Sequence, residues 1–174
     1  AGAAAADTSA AAPAAVADMQ DAGALVIDTR PAVAFAQGHI PGAVTLPLGP
    51  SFAIWAGWLT PYDRDVILVL EHDSQFAEAQ TELRRIGIDR VSGYLAGGMT
   101  SWQQAGRPLA TLETIQPAEL AARFADYRVL DVRDQSEFES GHLPGAINAP
   151  AGDLAQGAAG PQAAEGKTAV ICGS

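Results

Sequence analysis

One pattern is written twice in this chain, 103 positions apart. Ile27-Asp28-Thr29-Arg30, then Phe35, then Gly38-His39-Ile40-Pro41-Gly42-Ala43, returns as Leu130-Asp131-Val132-Arg133, Phe138 and Gly141-His142-Leu143-Pro144-Gly145-Ala146. Both stretches end on a proline, Pro47 and Pro150. The offset holds without a gap for twenty-one positions, and its identities fall on Asp, Arg, Gly, His and Pro rather than on interchangeable aliphatics. Two copies of one domain account for this, and the period is far too long for a solenoid.

The segments around the repeat set the fold class. Leu25-Val26-Ile27 and Val66-Ile67-Leu68-Val69-Leu70 are unbroken aliphatic runs, the pattern of parallel strands covered on both faces. Phe76, Ala79, Leu83 and Ile86 recur at three- and four-residue steps, which predicts an amphipathic helix capped by Asp73 or Ser74 and closed by Gly87. Pro13 and Pro117 suit first helical turns, so each copy opens with a helix that feeds its Asp-bearing strand. The expected architecture is α/β, two domains each with a central parallel sheet flanked by helices, the second copy truncated.

The expected boundaries are an alanine-rich linker or tag remnant over 1–12, a first domain over 13–110 and an incomplete second domain over 111–174. After its Gly-His-Leu-Pro-Gly-Ala motif, copy two reads as a loop rich in Ala, Gly and Gln, then the strand Ala169-Val170-Ile171, then Cys172-Gly173-Ser174. Copy one runs on beyond Leu70 through a helix, a strand and a helix bearing Trp102, so a full second copy is expected to need about 40 further residues.

D-x-R, a short helix and G-H-[IL]-P-G-A together resemble the front half of the rhodanese-like (sulfurtransferase) domain, in both copies. Gly97-Gly98 with Trp102 resembles that family's G-G-x-x-x-W near the domain end. The stretch from Ser51 to Asp63 resembles the tandem rhodanese module that follows a metallo-β-lactamase-fold domain in bacterial fusion proteins. The resemblance implies sulfane-sulfur transfer, with small sulfur donors and thiol or cyanide acceptors as partners. It also implies an upstream metallo-β-lactamase-fold domain, and no cofactor or metal.

Cys172 is where chemistry is expected. It follows an aliphatic strand and begins a Gly-Ser turn, which puts it at the carboxyl edge of a parallel sheet, where open α/β folds keep their ligand crevices. If a loop running into a helix follows, backbone N–H groups converge on the sulfur and favour the thiolate. By resemblance the position is that of the rhodanese nucleophile, with Gly173 and Ser174 opening the active-site loop and the sulfur carried as a cysteine persulfide. The same place in copy one holds Leu70, or Val69 at the strict offset. Neither is a nucleophile, so copy one is expected to be inert. The adjacent Glu71 and His72 read as a solvated loop.

Asp131 and Arg133, like Asp28 and Arg30, are alternate residues at a strand end. They share a face and are expected to pair or hold a loop, with Glu137 a further partner for Arg133. Because the pattern recurs in the copy without a cysteine, Asp131, Arg133 and His142 are expected to support the site rather than react. His39 and His142 read as satisfied turn residues. Phe52, Trp55 and Trp58 share one side of a helical turn, either as core or as a docking patch.

Two other readings stay open. One is a non-catalytic interaction module. The other is a cysteine phosphatase or arsenate reductase of related architecture, which needs a larger ring of amides after the cysteine than one sulfur atom does. Composition narrows the partners. Twenty acidic against ten basic residues give a net charge of −10, which repels phosphate backbones and anionic headgroups, so neither nucleic acid nor membrane is expected. A single cysteine permits no internal disulfide, in keeping with a reducing, cytoplasmic setting.

Overall fold

The computed structural model describes residues 9–155 and 167–171. It divides into two compact units, Ala1–Glu113 and Thr114–Ser174.

The first unit is a five-stranded parallel sheet in the order β1-β5-β4-β2-β3, made of β1 (Ala10–Ala11), β2 (Leu25–Asp28), β3 (Val44–Thr45), β4 (Val66–Val69) and β5 (Val91–Leu95). Its helices are α1 (Pro13–Asp21), α2 (Ala32–Gln37), α3 (Phe52–Leu59), α4 (Phe76–Arg85) and α5 (Gly98–Gln104). The aliphatic runs do what their composition demands. Successive side chains of β2 and β4 point to opposite faces, and both faces are buried. Leu25, Ile27, Val66, Leu68 and Leu70 join Phe52 and Ala56 of α3 and Ala79 and Leu83 of α4. Val26, Ile67 and Val69 join Val16 of α1 and Met99 and Trp102 of α5 on the other face. The result is a three-layer unit whose β2 and β4 carboxyl ends lie side by side, paired through Asp28 and Val69.

The second unit has a three-stranded parallel sheet in the order β7-β6-β8, with β6 (Tyr127–Asp131), β7 (Ile147–Asn148) and β8 (Lys167–Ile171). Three helices accompany it, α6 (Pro117–Ala122), α7 (Gln135–Ser140) and α8 (Ala151–Ala155). Among the described residues its core has Leu120, Val129 and Ala169 buried and Phe124, Tyr127, Leu143 and Ile171 packed around them. The tandem α/β architecture read from the repeat is the one observed. The β-α-β course of residues 25–45 recurs over 127–148, and Pro13 and Pro117 each start a helix.

Three local expectations change. The alanine-rich leader is not linker throughout, since Ala10–Ala11 pair with Tyr94 and Leu95 at the sheet edge; residues 1–8 lie outside the described part. The helix expected after β4 is preceded by a 3₁₀ turn, Asp73–Gln75, and the reciprocal cap between His72 and Gln75 closes that turn and not the helix, with the His72 N–H donating to the Gln75 side chain at 3.0 Å. Asp73 is drawn away because its carboxylate accepts the Gly97 N–H at 3.2 and 3.3 Å. Residues 151–155 form α8 rather than a loop, while 156–166 lie outside the described part. Among the described residues, no helix is long and apolar enough to cross a membrane.

Candidate functional site

Both copies of the motif build the same frame at the carboxyl end of the Asp-bearing strand. Asp28, fully buried, closes β2, and its carboxylate accepts the Arg30 backbone N–H at 3.1 Å and the Arg30 guanidinium at 2.6 to 3.2 Å. Nη2 of that guanidinium, already bonded to Asp28, also donates to the Gly38 carbonyl at 2.9 Å, tying the strand end to the end of α2. In the second unit the contacts repeat residue for residue. Asp131, also fully buried, takes the Arg133 N–H at 3.1 Å and its guanidinium at 2.7 to 3.1 Å, and Arg133 donates to the Gly141 carbonyl at 2.9 Å. The planar fork of arginine meets a carboxylate with two N–H groups and still spares a third donor for the loop, which a lysine cannot do. The expected pairing and loop-holding role is the geometry observed, with one correction. Arg133 takes Asp131 as its ion partner, and Glu137 adds only its field.

Arg133 holds the Asp131 carboxyl below the ordinary carboxylate range, chiefly through the side-chain hydrogen bond. Burial acts in the opposite direction, and the Arg133 N–H, the Arg133 charge and the His142 field reinforce the lowering. Asp131 raises the Arg133 guanidinium in turn.

The motif histidines are turn residues. His39 Nδ1 donates to the Phe35 carbonyl at 2.8 Å with its ring stacked on Phe35, centroids 3.7 Å apart. His142 does the same to Phe138 at 2.9 Å and 3.8 Å. His39 is buried and His142 exposed. In the first unit the strand-like bridge between His39 and Ala110, with the Leu112 N–H on the Ala36 carbonyl, covers this corner.

Strand register aligns the carboxyl ends of β4 and β8. In the first unit Asp28 pairs with Val69, and the Thr29 N–H donates to the Val69 carbonyl at 2.8 Å. In the second Asp131 pairs with Ile171, and the Val132 N–H donates to the Ile171 carbonyl at 2.9 Å. Ile171 therefore corresponds to Val69, and the next residue, Cys172, corresponds to Leu70. This decides between the two counterparts that sequence spacing leaves open, because the segment before β8 is one residue shorter than the segment before β4. Leu70 is buried in the core. Cys172, Gly173 and Ser174 themselves lie outside the described residues.

Glu71 and His72 are exposed, as expected of a solvated loop. Phe52 is buried and Trp55 packs against the core, while Trp58, edge-on to Trp55 at 5.2 Å, is half exposed beside exposed Ile54 and Tyr62. Sequence reasoning passed over Asn148, whose side-chain amide donates to the Asp131 carbonyl at 3.1 Å and the Arg133 carbonyl at 2.9 Å. The available signal was a mismatch inside the repeat, Asn148 against Thr45.

A pair of parallel α/β units, each with an Asp-Arg clamp at the carboxyl end of its second main strand or its equivalent, defines the class. The chain belongs to the rhodanese-like domain family, which matches residues 12–105 and 116–174. Among solved structures, the Alr3790 protein from Anabaena sp. is similar at 23% identity and TM-score 0.54, over 60% of this chain and 94% of that one. The thiosulfate sulfurtransferase from Pseudomonas aeruginosa is similar at 23% identity and TM-score 0.50, over 86% of this chain and 35% of that one. An anaerobic ergothioneine biosynthesis enzyme from Chlorobium limicola is similar at 18% identity and TM-score 0.53, over 81% and 40%. At these identities the likenesses establish the fold. No curated protein matches the chain.

Proposed function

We propose that the chain is a sulfurtransferase module in which Cys172 carries sulfane sulfur and the first unit is catalytically inert. The observation that supports this most is the strand register. It ends β8 at Ile171, opposite Asp131 of the clamp, and the chain's single cysteine is the next residue in sequence, where the first unit has the buried Leu70 after Val69. The Pseudomonas thiosulfate sulfurtransferase of the same fold supports the reaction class.

In the proposed reaction the Cys172 thiolate attacks the outer sulfur of thiosulfate. The S–S bond breaks, sulfite leaves with the bonding pair, and the enzyme holds a persulfide. A cyanide or thiolate acceptor then attacks the terminal sulfur, takes it as thiocyanate or a new persulfide, and returns the thiolate. The clamp residues Asp131 and Arg133, with His142 stacked on Phe138, hold the strand end to the Gly141 turn and take no proton in this scheme. Gly173 and Ser174 would open the loop whose N–H groups stabilise the negative sulfur.

The proposal extends to context: a reducing, cytoplasmic setting, and an upstream metallo-β-lactamase-fold domain supplying or consuming persulfides. Ile54, Trp58 and Tyr62 are each exposed, which supports a neighbour at α3 and the turn after it.

Intact mass after thiosulfate treatment tests the reaction. A gain of one sulfur mapped to Cys172, discharged by cyanide, is expected. A chain whose natural full-length form gains none would leave the scaffold reading in its place, and retention of transfer in Cys172→Ser would remove the cysteine from the mechanism.

A further inference from the structure

We infer that Asn148 is a positioning residue for the strand end that leads into Cys172, an inference that rests on the reading of Cys172 as the nucleophile. The two units solve one mechanical problem differently. In both, the residue between the clamp's Asp and Arg donates its backbone N–H to the carbonyl that closes the neighbouring strand, Thr29 to Val69 and Val132 to Ile171. In the first unit the Thr29 hydroxyl adds a second bond to the same carbonyl at 3.0 Å. Val132 has no hydroxyl, so the Ile171 carbonyl is held by the amide of Val132, and the placement of that amide depends on the turn around it.

Asn148 braces that turn from the other side. Its amide spans the carbonyls of Asp131 and Arg133, the two residues that flank Val132. Backbone bonds shared by both units, Leu46 or Ala149 N–H to the clamp Asp carbonyl and Leu48 or Ala151 N–H to the next one, leave only the side chain to make the difference. The counterpart of Asn148 is Thr45, whose buried hydroxyl has no hydrogen-bond partner among the described residues. The second unit thus exchanges a threonine pair for Val132 and Asn148. One peptide carbonyl, that of Ile171, separates the braced turn from the nitrogen of Cys172, so rigidity at residues 131–133 is transmitted to the point where the cysteine emerges.

The test uses the natural full-length protein, with alkylation mapped to Cys172 by peptide mass spectrometry. Amide hydrogen exchange is followed at position 132, and iodoacetamide alkylation of Cys172 is measured against pH, with the urea-unfolded chain as reference. Asn148→Thr is expected to lower protection at position 132 about tenfold and to move the alkylation profile toward that of the unfolded chain. Adding Val132→Thr, which transplants the first unit's arrangement, is expected to restore both. An alkylation profile unmoved by Asn148→Thr would overturn the inference, as would a parent profile already identical to the unfolded one. If Asn148→Thr unfolds the second unit, Asn148→Ser is used; unfolding by both would make the residue structural only and overturn it as well. Thiosulfate labelling reports separately on the nucleophile, so failure of labelling with these profiles intact would sink the reaction and not the brace.

Discussion

A single guanidinium per unit holds the motif together, and its removal has a cost set by burial. Asp28 is fully buried and the Arg30 side chain is 10% exposed, so Arg30→Ala strands a carboxylate in the core. A loss of about 3–5 kcal/mol is expected from urea unfolding of the first unit, with Arg30→Lys falling short of rescue because it lacks the fork. In the second unit the same clamp makes stability depend on acid. Asp131 is held below the carboxylate value of the unfolded chain, about 3.9, so the unfolded state binds the proton first as pH falls. The stabilisation is complete above that unfolded value and is lost as pH drops through the native one. Urea midpoints of the second unit are therefore expected to fall below about pH 4, and Asp131→Asn should flatten that limb at the expense of stability at neutral pH. These pairings were legible in the sequence because alternate residues at a strand end share a face. The further partner expected of Arg133 was not found, since Glu137 sits at a helical spacing that the turn does not honour, and the mismatch of Asn148 with Thr45 marked a difference without showing the two carbonyls that the amide takes.

At the scale of elements, the repeat and the aliphatic runs disclosed β2, β4, β6 and their helices. The two-residue strand β1 gave no such signal. An alanine pair has no hydrophobic periodicity, and it is held by backbone bonds, the Tyr94 N–H to the Ser9 carbonyl at 2.8 Å and the Ala96 N–H to the Ala11 carbonyl at 2.9 Å. What admits it is Gly93. A Cβ there would sit 2.3 Å from the Ser9 carbonyl oxygen, and the residue's φ of +151° is outside the range that other residues favour. Gly93→Ala is expected to detach residues 9–11 while leaving β4 and β5 paired, read as faster amide exchange at Tyr94 and new proteolytic cleavage before Pro13. Unchanged exchange at Tyr94 would show that the edge strand is not held by this close approach. The cap of α4 was misread for a related reason: Asp73 is a good local cap, but the Gly97 amide, more than twenty residues away, claims its carboxylate.

The whole molecule carries two units with very different cores. Among the described residues, the first buries side chains on both faces of its sheet, from Val16 to Trp102, whereas the second buries Leu120, Val129 and Ala169 in its cluster. Apolar burial is the main favourable term in folding, so the two should not melt together. Two calorimetric transitions are expected, the lower one belonging to the second unit, and residues 1–113 alone should reproduce the upper one. The functional asymmetry runs the other way, because the stable unit has Leu70 where the weaker one has Cys172. Residues 1–113 should therefore fold yet acquire no sulfur from thiosulfate above a buffer control. In the full natural chain, labelling at Cys172 should disappear across the transition in which the second unit unfolds. Labelling that persists beyond that transition would mean that sulfur transfer does not require the clamp, the brace or the strand end of the second unit, and the proposed site would lose its structural basis.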